Sequence, residues 1–485
     1  MIAKSSGFLK LCIFVDGIDE FEGDHKDISA FLCTLAAGQV KVIASSRPIS
    51  ACVNAFQNCP TLRLQDLTKH DMELFVKAGL SAHPSMVALT SRFPEQASEL
   101  VEEIKLKASS VFLWVKIVVR LLVDGIEEGD DIDGLQKKLS LLPPDLRALY
   151  RRMFAKMRPE HQVEAAEIFQ LFHMWQSLLG GQPLRTLVLA FANQPQYQAF
   201  GCAVGPLAKE AIQWYCYNTE ARIRSRCCGL IEVHGKNIRS QTRYPLGTLE
   251  LEKNSGIENH DRFSEVDEEA TISYLHLTVA EFLLSGDVWD EMCEVTRKIG
   301  FDPALKLACA SLSMMKIQQH FVGGSGMTHF TNTLIICRRA ANLSDQMLGR
   351  IFNGIDQTMH EHQVKFGRKN SETSTSAALH WSVDIYQVTL VHPSMQGKLY
   401  GFTDMLSVAA RTSIIQYLRA FGNFQKRPFL SRYSIVVYAL ESWREYPPPT
   451  TTSCQDRSDT LLYLLQNAAK PEDAGLDGSL WQYAF

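Results

Sequence analysis

The chain has 485 residues, 46% of them hydrophobic and 21% charged, with a net charge of −4 at pH 7. That length allows two to four domains, and the composition is ordinary for globular proteins, which excludes wholesale disorder and a membrane class. The slightly acidic balance argues against nucleic acid as the main partner, because phosphate binding calls for a basic excess.

Residues 1–7 carry no signal-peptide apolar core. Twelve cysteines occur without a single Cys-x-x-Cys pair. Their scatter favours neither a zinc site nor a disulfide framework, and a reduced, cytoplasmic chain is expected.

In chain order, residues 11–15 (Leu-Cys-Ile-Phe-Val) form a short apolar run ending in Asp16-Gly17. A strand buried in a parallel sheet reads this way. Helical periodicity follows over 26–37. A second apolar strand is expected at 40–45, ending in Ser46-Arg47-Pro48, then a helix at 49–57 and a third strand at 61–64. Strand and helix alternating over short links means an α/β sheet with right-handed crossovers. From residue 67 the strands stop. Thr68 to Asp71 reads as a helix start, and helices are expected at 95–107, 110–126, 131–140, 145–157 and 160–178, with Asp145 as a cap. The segment 111–123 is the most apolar of the chain. It is too short to span a bilayer and contains Lys116 and Arg120, so a buried helix is expected and no membrane contact.

Residues 221–228 read as helix, 229–233 and 271–275 as strands with a polar insert over 235–270 between them, and 279–284 as the start of another helix. That order is winged-helix-like. Residues 298–485 read as mostly helical. The Gly-rich run 323–328 and the Pro-rich run 447–453 are expected as loops. Residues 406–410 with 415–418, and 461–471, have ankyrin-like wording without a 33-residue period. An ordinary helical domain fits them equally. The domains expected are 1–66, 67–180, 181–296 and 297–485.

The chemistry concentrates at the ends of the first two strands. A carboxylate at the carboxyl end of a buried strand can hold Mg²⁺, directly or through water, and Asp16 has that position. Asp19 and Glu20 follow closely and can orient or deprotonate an attacking water. Arg47 ends the neighbouring strand, where a doubly wound sheet binds its ligand. Two plain alternatives stay open. Asp-Gly is common in solvated turns, and Arg47 can simply pair with Asp19 or Glu20. Arg222, Arg224 and Arg226 are spaced by two and so point around their helix, which weakens a DNA-reading role. His360 and His362 diverge on a helix and lack a third metal ligand.

Leu-Cys-Ile-Phe-Val-Asp-Gly-Ile-Asp-Glu followed by Val-Lys-Val-Ile-Ala-Ser-Ser-Arg-Pro resembles the Walker B and sensor 1 segments of fungal NACHT NTPases. Residues 110–122 and 139–150 resemble the helical region of those proteins. Residues 225–233 and 274–284 resemble their winged-helix-like segment, so the likeness covers roughly 10–290. It implies an α/β remnant of a P-loop NTPase sheet followed by a mainly helical, multidomain region. Such proteins are NLR-like signal switches, closed with ADP and oligomeric with ATP. By resemblance, Asp16 serves Mg²⁺, Asp19 and Glu20 serve hydrolysis, Arg47 serves the γ-phosphate and His276 contacts the ADP β-phosphate. A core-facing histidine at a strand end is the bland alternative for His276.

One departure matters. The family's phosphate cradle is a Gly-rich loop with Gly-Lys-Ser/Thr, and this sequence contains no such motif. The expectation is a chain truncated just before its Walker B strand, with Mg²⁺ and ATP/ADP as cofactors of the full-length family and none held tightly by this chain alone. Protein partners or self-association are expected. The alternative is a non-enzymatic interaction scaffold derived from such a switch.

Overall fold

The computed structural model describes residues 11–36, 40–62, 64–81, 83–108, 111–235, 269–318, 325–340, 343–366, 405–424, 439 and 454–468. Among them are twenty α-helices and two small sheets. The fold is therefore mainly helical, as expected. The chain divides into two compact units, 1–144 and 145–485.

Among the described residues the first unit begins with strand β1 (Leu11–Val15), a 3-10 turn (Ile18–Glu20), helix α1 (His25–Ala36), strand β2 (Val40–Ala44) and helix α2 (Ser50–Ala55). β1 and β2 pair in parallel, Leu11 opposite Val40 and Val15 opposite Ala44. Parallel neighbours need a crossover, and α1 supplies it. Ile18, Leu32 and Cys52 form a small buried core, with Val15, Ile28, Leu35, Val42, Ile49 and Phe56 packed on it.

The expected third strand is a correction. Residues 61 and 62 are irregular, and helix α3 (Leu64–Ser81) already begins at Leu64. The helix start expected at Thr68 to Asp71 is corrected with it, because α3 runs straight through those residues. Two leucines two apart suit a strand or a helix end alike, and here the long helical period downstream wins.

Four further helices complete this unit: α4 (Pro84–Arg92), α5 (Pro94–Ala108), α6 (Phe112–Glu127) and α7 (Ile132–Ser140). α6 is the apolar segment of 111–123, and it is indeed a buried helix. Trp114, Val115, Ile117, Val118, Val119, Leu122, Val123 and Ile126 are buried. Lys116, Arg120 and Asp124 fall on the remaining narrow stripe at helical spacing. The indole N–H of fully buried Trp114 donates to Pro143 O at 2.7 Å, which satisfies the ring's one polar atom. Lys107 donates to Leu139 O and Ser140 O at 2.8 and 3.0 Å, covering carbonyls at the end of α7. α3 approaches α6 closely at Gly79, where a Cβ would lie 2.7 Å from Val119 Cγ1.

The second unit starts at α8 (Leu146–Ala155), capped by Asp145, whose carboxylate accepts the Ala148 N–H at 2.7 Å. α9 (Pro159–Leu179) follows, with proline in its first turn and Gly180 left-handed at its end. Strand β3 (Leu184–Arg185) and helices α10 (Thr186–Ala192) and α11 (Gln196–Gly201) were not legible as elements. α12 (Lys209–Arg226) is longer than the expected 221–228. β4 (Ile231–His234) and β5 (Thr271–Tyr274) flank the insert, and α13 (Leu277–Leu283) follows. The insert itself, 236–268, lies outside the described residues. The sheet order is β3-β5-β4, all antiparallel.

After α14 (Gly286–Arg297) comes α15 (Pro303–Lys316), which is buried nearly all round. A helix of that kind forms the centre of its unit, and α15 packs against α9, α10, α11, α16 (Ser325–Arg339) and α17 (Asp345–Phe366). Residues 325–328, expected as part of a Gly-rich loop, are the first turn of α16, a correction. α18 (Met405–Arg411), α19 (Ile415–Phe421) and α20 (Cys454–Asn467) are the other helices with stated bounds among the described residues. The Pro-rich loop at 447–453 lies outside the described residues. No helix among the described residues is long and apolar enough to cross a membrane.

Candidate functional site

The carboxyl ends of β1 and β2 are zipped together by backbone and side chain. Ser45 N–H donates to Val15 O, and Ile18 N–H donates to Ser45 O, both at 2.9 Å. The Ser45 hydroxyl donates to Asp16 Oδ1 and accepts the Gly17 N–H at 3.0 Å. Gly17 sits at φ 68°, ψ 50°. That left-handed conformation suits glycine, and it turns the chain so that Ile18 enters the core while Asp16 and Glu20 stay exposed. Glu20 folds back over Gly17, where an added Cβ would lie 3.3 Å from its Cδ.

Asp19 and Arg47 meet. The Arg47 N–H donates to Asp19 Oδ1 at 2.9 Å, and Arg47 Nε lies 3.3 Å from Asp19 Oδ2. The Asp19 side chain is 11% exposed and that of Arg47 57%. The Arg47 backbone N–H, aided by its guanidinium, holds the Asp19 carboxyl below its ordinary value. His25 lies 3.1 Å from Asp19 O through Nε2, tying α1 to the same turn.

Asp16, Asp19, Glu20 and Arg47 thus share one strand-end cluster, as the sequence order suggested. Arg47 makes the plain pairing with Asp19 that was held open for it. Among the described residues no three His, Cys, Asp or Glu side chains converge on a metal-sized position. A cation at Asp16 would take one carboxylate from the protein and its other ligands from water and substrate, an arrangement Mg²⁺ accepts. A Gly-Lys-Ser/Thr motif does not occur in the sequence, so the residues present could hold a hydrated cation and include no Gly-Lys-Ser/Thr cradle for phosphate. Ser45 is the site residue that sequence reasoning missed. The parallel register sets it opposite Asp16 one step beyond the Val15 and Ala44 pair, but that register is not visible in a single strand.

His276 belongs to the second unit. It is exposed at the end of β5 and caps α13, its Nδ1 accepting the Thr278 N–H at 3.2 Å. The core-facing alternative for it does not apply. Arg222 and Arg226 converge on Glu164, at 3.3 and 2.7 Å, and Arg224 pairs with Glu220 at 2.5 Å. His362 is buried, its Nε2 2.8 Å from Met315 O.

A family model described as a domain of unknown function, DUF7791, matches residues 156–322. The match covers about a third of the chain and takes in α9 to α15, the β3-β5-β4 sheet and His276. No curated protein and no solved structure matches. The chain is similar to that family over about the first half of its second unit.

Proposed function

We propose that this chain is part of a NACHT-type, NLR-like signal-transduction NTPase, carrying the acidic half of the nucleotide site without the phosphate cradle. One observation carries the reading. Asp16 and Arg47 end adjacent parallel strands, joined through Ser45 and through the Asp19 pairing. Ligands of open α/β sheets bind at that edge. The antiparallel β4–β5 pair between α12 and α13 supports the winged-helix-like reading of 181–296, and the DUF7791 likeness lies over the same region. In this reading Asp16 serves Mg²⁺, Asp19 and Glu20 orient water and Arg47 senses phosphate, and His276 is, by the same family resemblance, the phosphate-contacting residue of the second unit.

A fluorescent-ADP titration of the purified chain tests this. Weak, Mg²⁺-dependent binding that Asp16→Ala and Arg47→Ala each abolish is the expected result. Tight Mg²⁺-dependent ATP binding would overturn the missing-cradle reading. Binding indifferent to both variants would remove the nucleotide reading. A second reading, a non-enzymatic scaffold binding protein partners or itself, is favoured by one observation. The Arg47 side chain is already engaged by Asp19.

A further inference from the structure

His276 ends a directed hydrogen-bond chain of three residues. A backbone N–H can only donate, so the Thr278 N–H at 3.2 Å makes His276 Nδ1 an acceptor without a proton. The Thr278 hydroxyl lies 3.0 Å from the same nitrogen and therefore donates to it as well. Having spent its proton there, that hydroxyl accepts from the Tyr150 hydroxyl, 2.9 Å away. Tyr150 is only 1% exposed and its ring packs on Phe282 at 5.6 Å. Its O–H is held away from solvent, so the chain starts at a fixed buried donor. The order is Tyr150 O–H to Thr278 O–H to His276 Nδ1.

We propose that Tyr150 and Thr278 are positioning residues for His276, locking its neutral ring in the Nε2–H tautomer so that its exposed edge is a donor. Which nitrogen carries the proton is set by the bond the other one makes. A ring locked this way offers Nε2–H to acceptor groups such as phosphate or carboxylate oxygens. It offers no Nε2 lone pair to a metal ion, which is a specificity the two hydroxyls impose from behind. The use of that donor rests on the nucleotide reading above; the lock itself does not.

Long-range ¹⁵N–¹H spectra of the full chain at pH 8 read the tautomer directly, with His276→Gln assigning the signal. The Nε2–H pattern is expected in the wild type and in Thr278→Ser, which keeps the hydroxyl. The Thr278 N–H is kept in Thr278→Val and Tyr150→Phe, so each is expected to move only part of the population toward Nδ1–H, the part that the hydroxyls hold. An Nδ1–H pattern in the wild type overturns the proposal, as does a pattern unchanged in both Thr278→Val and Tyr150→Phe. Should Thr278→Val fail to fold, Tyr150→Phe against Thr278→Ser decides. Failure of ADP to bind, with the Nε2–H pattern intact and responsive to both variants, counts against the nucleotide reading alone.

Discussion

Asp19 ties two loops through one carboxylate, so its removal reaches further than a surface charge. Asp19→Asn keeps the shape but weakens the bond from the Arg47 N–H and cancels the ion pair. A loss of about 1 kcal/mol is expected, read as a lower urea midpoint of the first unit. The sign with pH follows from the direction of its shift. A carboxyl lowered on folding contributes stability above its ordinary value of 3.8, and that contribution is lost as pH falls through the folded value. Asp19→Asn should therefore flatten the acid limb of the profile. His329 behaves in the opposite chemical sense. Burial, with Arg185 nearby, pushes its imidazole from 6.5 down to about 4, and its Nδ1 has no hydrogen-bond partner among the described residues. The unfolded state takes up a proton below pH 6.5 that the folded state refuses. Stability should fall as pH drops from 6.5 to 4, by roughly 3 kcal/mol in all. Thermal melts of His329→Met should lose that slope. Asp16, Asp19, Glu20 and Arg47 were legible as one cluster because strand ends announce themselves in sequence. Ser45, Thr278 and Tyr150 were not, since their roles come from register and from a contact spanning 128 positions.

At the scale of elements, the long helices were legible and the short ones were not. α6 announced itself through a nearly continuous apolar run broken only at Lys116 and Arg120, which is what a helix buried on most of its circumference requires. α10, α11 and β3 are too short to show a period, and they depend on the surfaces of α15 and β5 that they pack against. The same dependence explains the missing third strand, since nothing in 61–64 chose between strand and helix before α3 claimed Leu64. Trp114 is where α6 is most exposed to damage. Its ring is fully buried and its N–H reaches Pro143 O, the segment that closes the first unit. Trp114→Ala should cost about 3–5 kcal/mol, and Trp114→Phe less, leaving Pro143 O without its donor. Equilibrium urea unfolding followed by circular dichroism separates the two variants. Asp145→Ala removes a helix cap and should cost about 1 kcal/mol in the second unit.

On the scale of the whole molecule, the two-stranded sheet is the unusual surface. Parallel strands are normally covered on both faces. Here Val15 and Val42 point into the core with α1 and α2, while the alternate positions Cys12, Phe14, Lys41 and Ile43 face outward. Phe14 and Ile43 are directly paired across the strands and are 74% and 55% exposed. Bare apolar positions on a sheet invite association. Their replacement should therefore change solubility without changing the fold. Phe14→Lys with Ile43→Thr should leave the unfolding midpoint within about 0.5 kcal/mol of the wild type, as for substitutions that touch no buried contact. Light scattering should at the same time show aggregation moving to higher protein concentration. A fall in stability of roughly 2 kcal/mol or more would mean that the outer face is packed in solution. The sheet would then have two covered faces, as other parallel sheets do.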